Sequence, residues 1–448
     1  MFKNINCKNL PSLRRNIVYQ FLYELLIVFI PLFTIPYVSR VLGAENIGLF
    51  SYTYAVANYF VLFANLGIKN YGSRTIAMVR NNKEELNRNF SEILSIHIIF
   101  SIIVIFVYLV LLFFFVEDNL VIFLIQSIYV FAAVFDINWF FFGIEKFKLT
   151  VGRNTLVKIL SVFLVLVFVK TQTDLWIYAL ILALSVFVGQ SVVWFALKQY
   201  VSWRRPSWAN MKQHIRPLFV LFLPILALSL YKYMDKIMLG SISSNVQVGF
   251  YENAEKIINV PMSLIMAFGV VLMPRIANMV TSKDKGEVFK LIDMSMEAVM
   301  LLAIAISFGL AGISFVLAPI FFGYEFEECG ILIMGLAVTV PFMAFANVIR
   351  TQYLIPYKED KIFVVSLFLG AAVNLIVNII LIPYMAARGA VIGTIFAEII
   401  VCIYQSYFVR KKIFIKKYLL NTIPPILIGI VMFVFVFQIG NVMNINIV

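Results

Sequence analysis

The sequence predicts an all-α polytopic membrane protein whose helices form two six-helix lobes around a central cavity. Three observations predict it: apolar stretches of spanning length recur along the whole chain, basic residues crowd into alternate connections, and a set of glycines and cations returns about 200 residues later.

The apolar stretches come first. Of 448 residues, 62% are hydrophobic and 13% charged, more apolar surface than a soluble domain of this size can hide. Thirteen stretches of about 20 predominantly apolar residues each suffice to cross roughly 30 Å of hydrocarbon. They run approximately 17–41, 46–66, 91–115, 119–142, 154–170, 175–197, 217–240, 248–273, 294–318, 330–354, 362–383, 389–409 and 419–439. Runs this long are helices, because backbone groups inside a bilayer need partners within their own segment.

Charge sets the topology. The formal net charge is +13, which in a soluble protein would suggest nucleic acid. Here 30 Lys and Arg fall before span 1 or around the connections after even-numbered spans, while Arg40, Lys170 and Arg388 alone mark the other side. This positive-inside bias places the N-terminus and the basic loops in the cytoplasm and excludes nucleic acid as a partner. The first apolar stretch runs through Pro31 and Pro36 to Arg40 without a small-residue cleavage site, so it reads as a retained span.

The repeat follows. Arg40-Val-Leu-Gly43 with Gly48 is echoed by Lys236-Ile-Met-Leu-Gly240 with Gly249, and Gly67 with Arg74 by Gly269 with Arg275, at offsets of 197, 202 and 201 residues. Six spans separate the copies, so both enter the membrane in the same sense. The expected lobes are 1–200 with spans 1–6 and 201–412 with spans 7–12, followed by an extra span in 413–448. Pro424-Pro425 inside that last span leaves the side of the C-terminus open.

Chemistry is sparse. No phosphate-binding glycine loop, metal-ligand spacing or catalytic triad can be drawn, so neither a cofactor nor a catalytic residue is expected. Cys7, Cys329 and Cys402 are too scattered for a framework, and His97 and His214 read as structural. What remains is charge at membrane depth, which is costly and usually faces protein or a wet cavity. Span 7 carries Lys232, Asp235 and Lys236, and span 8 carries Glu252, Glu255 and Lys256, each set at i, i+3, i+4 spacing on one helix face. These sets read either as an ion-pair scaffold or as a site for substrate or ion. Glu24 in span 1 and Glu398 in span 12 lie near the midplane and are candidates for coupling to H⁺ or Na⁺. Asp136 and Asn138 are more ambiguous. Arg40, Arg74, Arg275 and Arg350 sit near helix ends, either snorkelling to headgroups or capturing a phosphate. Trp139, Tyr231, Tyr233, Tyr251 and Tyr353 could stack on sugar rings.

Three motifs carry a family resemblance. Trp139-Phe-Phe-Phe-Gly143-Ile-Glu145-Lys146-Phe147-Lys148, the hairpin Arg40-Val-Leu-Gly43-Ala-Glu45-Asn-Ile-Gly48, and Asp235-Lys236-Ile-Met-Leu-Gly240 with Val248-Gly249-Phe-Tyr251 resemble the oligosaccharide repeat-unit flippases of bacterial polysaccharide biosynthesis. Those flippases belong to the multidrug/oligosaccharidyl-lipid/polysaccharide (MOP) exporter superfamily, and the resemblance spans residues 12 to about 410. It implies a MATE-like V of two lobes in the bacterial inner membrane. It also implies a non-enzymatic flippase, driven by an ion gradient, that moves undecaprenyl-pyrophosphate-linked sugars for O-antigen, capsule or related polymers alongside a polysaccharide polymerase. On that reading Arg40, Arg74, Lys232, Lys236, Lys256, Arg275 and Arg350 meet the pyrophosphate, and Glu24, Asp235, Glu252, Glu255 and Glu398 couple the ion. A drug exporter of the same superfamily is the competing reading. A polytopic polymerase or acyltransferase would need a large outer loop or an embedded His with acidic partners, and the outer connections are about ten residues or fewer.

Overall fold

The structure is a computed structural model that describes residues 10–281 and 285–445. The described residues are almost entirely helical: α1 (Leu10–Asn65), α2 (Ile68–Val79), α3 (Lys83–Phe115), α4 (Leu120–Val134), α5 (Asn138–Gly143), α6 (Phe147–Phe168), α7 (Leu175–Leu197), α8 (Trp208–Ile242), α9 (Asn245–Thr281), α10 (Lys285–Phe322), α11 (Cys329–Ala337), α12 (Thr339–Ile349), α13 (Asp360–Met385), α14 (Ala387–Val409) and α15 (Ile415–Ile445). Twelve helical stretches among the described residues are long and apolar enough to cross a membrane. The first, Leu32–Val79, contains the break in α1 at Gly43, whose φ of 77° and ψ of 171° interrupt the helix. Glycine tolerates that backbone where a β-carbon would not. Spans 1 and 2 of the sequence are therefore the two limbs of α1. Pro424 and Pro425 do not end α15, which runs through both.

The chain divides into two compact units, Met1–Thr34 with Thr53–Leu226, and Ile35–Tyr52 with Ala227–Val448. The tip of the first hairpin thus packs with the second unit although its flanking chain belongs to the first.

In the first unit an aromatic core, Phe90, Trp139, Phe140 and Phe141, joins α3 to α5 and is sealed by Ile76, Leu218 and Phe222. Phe90 stacks on Trp139 at 5.6 Å and meets Phe140 edge-on at 4.9 Å. A polar cluster of four lies beside it, with His214 and Glu92 buried: His214 on α8 shares a proton with Glu92 on α3 at 2.9 Å and with the Tyr71 hydroxyl on α2 at 2.6 Å, and Asn210 donates to the same Glu92 at 3.0 Å. Every member is satisfied locally, as a buried polar cluster must be. His214 is thereby a structural residue, as its sequence context suggested.

In the second unit α13 and α14 form a tight antiparallel hairpin, and α15 packs along α10. Gly429 sits under the Phe308 ring and Gly312 against Val436, so small residues let the two helices close. The opposite face of α15 exposes Leu427, Ile428, Val431, Phe435 and Ile439, the apolar surface expected where lipid is the solvent.

Candidate functional site

Two networks occupy the α8–α9 hairpin of the second unit. In one, the Lys236 ammonium lies 2.5 Å from Glu252 and 2.8 Å from Glu255, and Lys256 lies 3.1 Å from Glu252. In the other, Asp235 is buried and, among the described residues, accepts from neutral groups: the Tyr251 hydroxyl at 2.6 Å, the Thr394 hydroxyl at 3.0 Å and the Asn378 amide at 2.6 Å. Asn378 in turn donates to Asn374 at 3.1 Å. The spacing of span 7 suggested one shared face, yet its charges are divided. Neighbouring helical residues point about 100° apart, so Lys236 meets the carboxylates of α9 while Asp235 meets Tyr251 of α9 together with α13 and α14. Lys232, on the same helix, is exposed, with its ammonium 5.3 Å from the centre of the Tyr233 ring.

The tip of the α1 hairpin seats on the same two helices. A β-carbon on Gly48 would fall 1.6 Å from the Asn245 carbonyl oxygen, and one on Gly249 would fall 2.1 Å from that of Ala44. The Asn253 amide donates to Ser39 at 2.9 Å, while the Tyr52 ring covers Gly240, where a β-carbon would lie 2.4 Å away. These contacts come in pairs. Ser39 and Gly240, Ala44 and Asn245, Gly48 and Gly249, and Tyr52 and Asn253 are each 201 residues apart. Each contact from one copy therefore has its mirror from the other, which is the signature of two related hairpins meeting about a local two-fold axis. Flanking bonds complete the seat: Arg40 donates to the Ile320 carbonyl at 2.5 Å, and the Ala44 amide to the Glu325 carboxylate at 2.8 Å.

The other candidates are scattered. Arg40 serves the hairpin seat. Arg74 and Arg275 are exposed on α2 and α9. Arg350 opens a short π-helical turn, donates to Asn347 at 2.6 Å, covers Phe363 at 5.4 Å, and is the cation acting on the buried Glu398. The side chains of Glu24 and Tyr231 lie outside the described residues. Of the aromatic residues, Trp139 and Tyr251 are each 2% exposed, so neither offers a face to a sugar, and Tyr353 is stacked on Tyr357 at 4.6 Å. Asp136 accepts from the Asn138 amide at 2.7 Å, and Arg153 donates to Asn138 at 3.1 Å. Asn374, Asn378 and Thr394 were not singled out from sequence. The signal available was polar residues at i, i+4 within an apolar span, on α13.

A family model described as polysaccharide biosynthesis protein matches residues 13–280. The chain belongs to that family. Among its relatives, a Shigella dysenteriae protein named "Putative O-antigen transporter" is 24% identical over 408 residues, covering 88% of this chain and 99% of that one. Two solved structures share the fold. "Lipid II flippase MurJ, inward closed conformation" has a TM-score of 0.71 at 16% identity, covering 96% of this chain and 98% of that one. An inward-facing multidrug resistance MATE family transporter of the MOP superfamily has a TM-score of 0.66 at 14% identity, covering 87% and 97%. The family and the full-length relative place the chain among multi-pass membrane transporters of polysaccharide biosynthesis and not among enzymes.

Proposed function

We propose that this protein is a flippase that carries undecaprenyl-pyrophosphate-linked oligosaccharide units from the cytoplasmic to the outer leaflet of the bacterial inner membrane by alternating access. A gradient of H⁺ or Na⁺ drives it, Asp235 is its coupling carboxylate, and its N-terminus is cytoplasmic. The observation that carries the reading is the environment of Asp235, a carboxylate buried in a spanning helix and held by two hydroxyls and an amide, with no cation bonded to it among the described residues. Carboxylates in that position mark ion pathways. Beside it, Lys236 and Lys256 are neutralised by Glu252 and Glu255, so the exposed Lys232 and the arginines near helix ends are the better candidates for the pyrophosphate.

The test is translocation in proteoliposomes, read as loss of access of a lipid-linked oligosaccharide to an impermeant lectin. Transport should follow an imposed ion gradient without ATP, and Asp235→Asn should abolish the response to the gradient in folded protein. Indifference of the wild type to every gradient would remove the coupling reading. Export of cationic dyes in place of the glycolipid would make the protein a drug exporter.

A further inference from the structure

Asp235 lies at one end of a polar seam that continues between α13 and α14. Asn378 packs against Gly393, where a β-carbon would lie 2.2 Å from its amide oxygen, and Gln405 donates to Ser366 at 2.9 Å. This antiparallel register sets Asn374 opposite Ala397, beside Glu398. Glu398 in turn lies one turn beyond Thr394 on α14, the residue that bonds Asp235. From Asn378 to Ser366 the seam covers about 18 Å at 1.5 Å per residue, more than half of a roughly 30 Å hydrocarbon core.

Two groups on this line have no protein partner among the described residues: the amide oxygens of Asn378 and Gln405 are buried without one, as is the amide nitrogen of Asn347 on α12, beside Arg350. Such groups are costly in a helix bundle unless water or an ion meets them. Packing alone gives no reason for three amides and a carboxyl in the seam between α13 and α14, with the Asp235 carboxylate at its end. Among the described residues, the charged and titratable groups facing Glu398 and Asp235 are Arg350 after α12, Tyr251 and Glu255 on α9, the latter held by Lys236, and Cys402 on α14.

We propose that the α13–α14 seam is a proton path inside the second unit, along which Glu398 passes a proton to Asp235, with Arg350 as the counter-charge of the deprotonated Glu398. The Glu398 carboxylic acid releases H⁺ to water hydrogen-bonded along the seam, and the Asp235 carboxylate accepts one. The Glu398 carboxylate left behind is reprotonated from the aqueous side, and no electrons move. This rests on Asp235 as the coupling carboxylate and goes beyond it by naming the ion, the path and a second relay group. It also moves Arg350 from phosphate capture to the relay.

The experiment uses the full-length protein in proteoliposomes, with the translocation rate under a pH gradient divided by the rate without one. The wild type should respond to a pH gradient and not to a Na⁺ gradient at equal pH. Glu398→Gln should bring the ratio down to about 1, since losing a proton-transfer group costs about 10²–10⁴-fold, and Glu398→Asp should restore part of it. A wild-type ratio in Glu398→Gln overturns the relay and leaves the Asp235 reading standing, as does a wild type driven by Na⁺ alone. A wild type that responds to neither gradient overturns the coupling reading beneath it. If Glu398→Gln fails to insert, Gln405→Met, close in volume but without the amide oxygen, decides. A lowered ratio supports the path and an unchanged ratio rejects it.

Discussion

Adding one methyl group at Gly48 should unseat the α1 hairpin. The β-carbon would sit 1.6 Å from the Asn245 oxygen, whereas an ordinary carbon–oxygen approach is about 3.3 Å, so the tips must part by about 1.7 Å. The obstacle is backbone on both sides, so no side chain can rotate away. Separation on that scale stretches the Asn253–Ser39, Ala44–Glu325 and Arg40–Ile320 bonds past hydrogen-bonding range. At about 0.5–1.5 kcal/mol for the neutral bond and about 1.5–3 kcal/mol for each of the two with a charged group, the seated state loses roughly 3.5–7.5 kcal/mol. That amounts to roughly two to five powers of ten in population at about 1.4 kcal/mol each. Ser39 is 1% exposed, so a cysteine there reports the seat. Ser39→Cys should react slowly with a water-soluble maleimide, and the same cysteine with Gly48→Ala at least about a hundredfold faster, the low end of that population shift. Gly152→Ala, with open space around its β-carbon, should change nothing. Equal labelling of the Gly48→Ala and Gly48 proteins at matched membrane levels would refute the steric argument.

Two further predictions concern topology and charge. A cysteine within 198–216 should be shielded from an impermeant thiol reagent in intact cells and one within 241–247 labelled, and the reverse would overturn the orientation drawn from basic residues. Lys236→Glu should cost about 3–5 kcal/mol of stability by leaving Glu255 uncompensated and Glu252 with Lys256 alone, read as a loss of membrane-inserted protein; adding Glu252→Lys should recover the level, and failure to recover would show that the pair is not a scaffold.

Most of the fold was legible because lipid imposes few choices: long apolar helices and a one-sided distribution of Lys and Arg leave little else. The repeat was legible only in outline, since matching residue types gave offsets of 197, 202 and 201 while the contacts obey 201 throughout. Gly43 and Gly240 look alike in sequence, yet Gly240 corresponds in space to Ser39. The candidate site was half legible. Charges at depth announce themselves, which brought Asp235, Lys236, Glu252, Glu255, Lys256 and Glu398 into view. Partners that are neutral, such as Asn374, Asn378 and Thr394, do not stand out, because a single amide or hydroxyl is ordinary in a spanning helix. Which of two adjacent residues faces which neighbour is settled only by packing, and this is why Asp235 and Lys236 could not be separated beforehand.

Subtracting 201 from the positions of the two α8–α9 networks gives Thr34 for Asp235, Ile35 for Lys236, Phe50 for Tyr251, Ser51 for Glu252, Tyr54 for Glu255 and Ala55 for Lys256. None of these is ionisable near neutral pH. The glycine seat is therefore shared by both copies, each supplying the same backbone surface, whereas the charged centre exists in one copy alone. A mechanical contact gains from symmetry, because each half must fit the other. An ion site gains nothing from a second copy and carries the cost of burying more charge. Under the proposed coupling through Asp235, this asymmetry of charge on a symmetric frame leaves hairpin seating to both repeats and puts the ion site in the second. Asp235 lies only five residues before Gly240, on the helix whose tip the first hairpin covers.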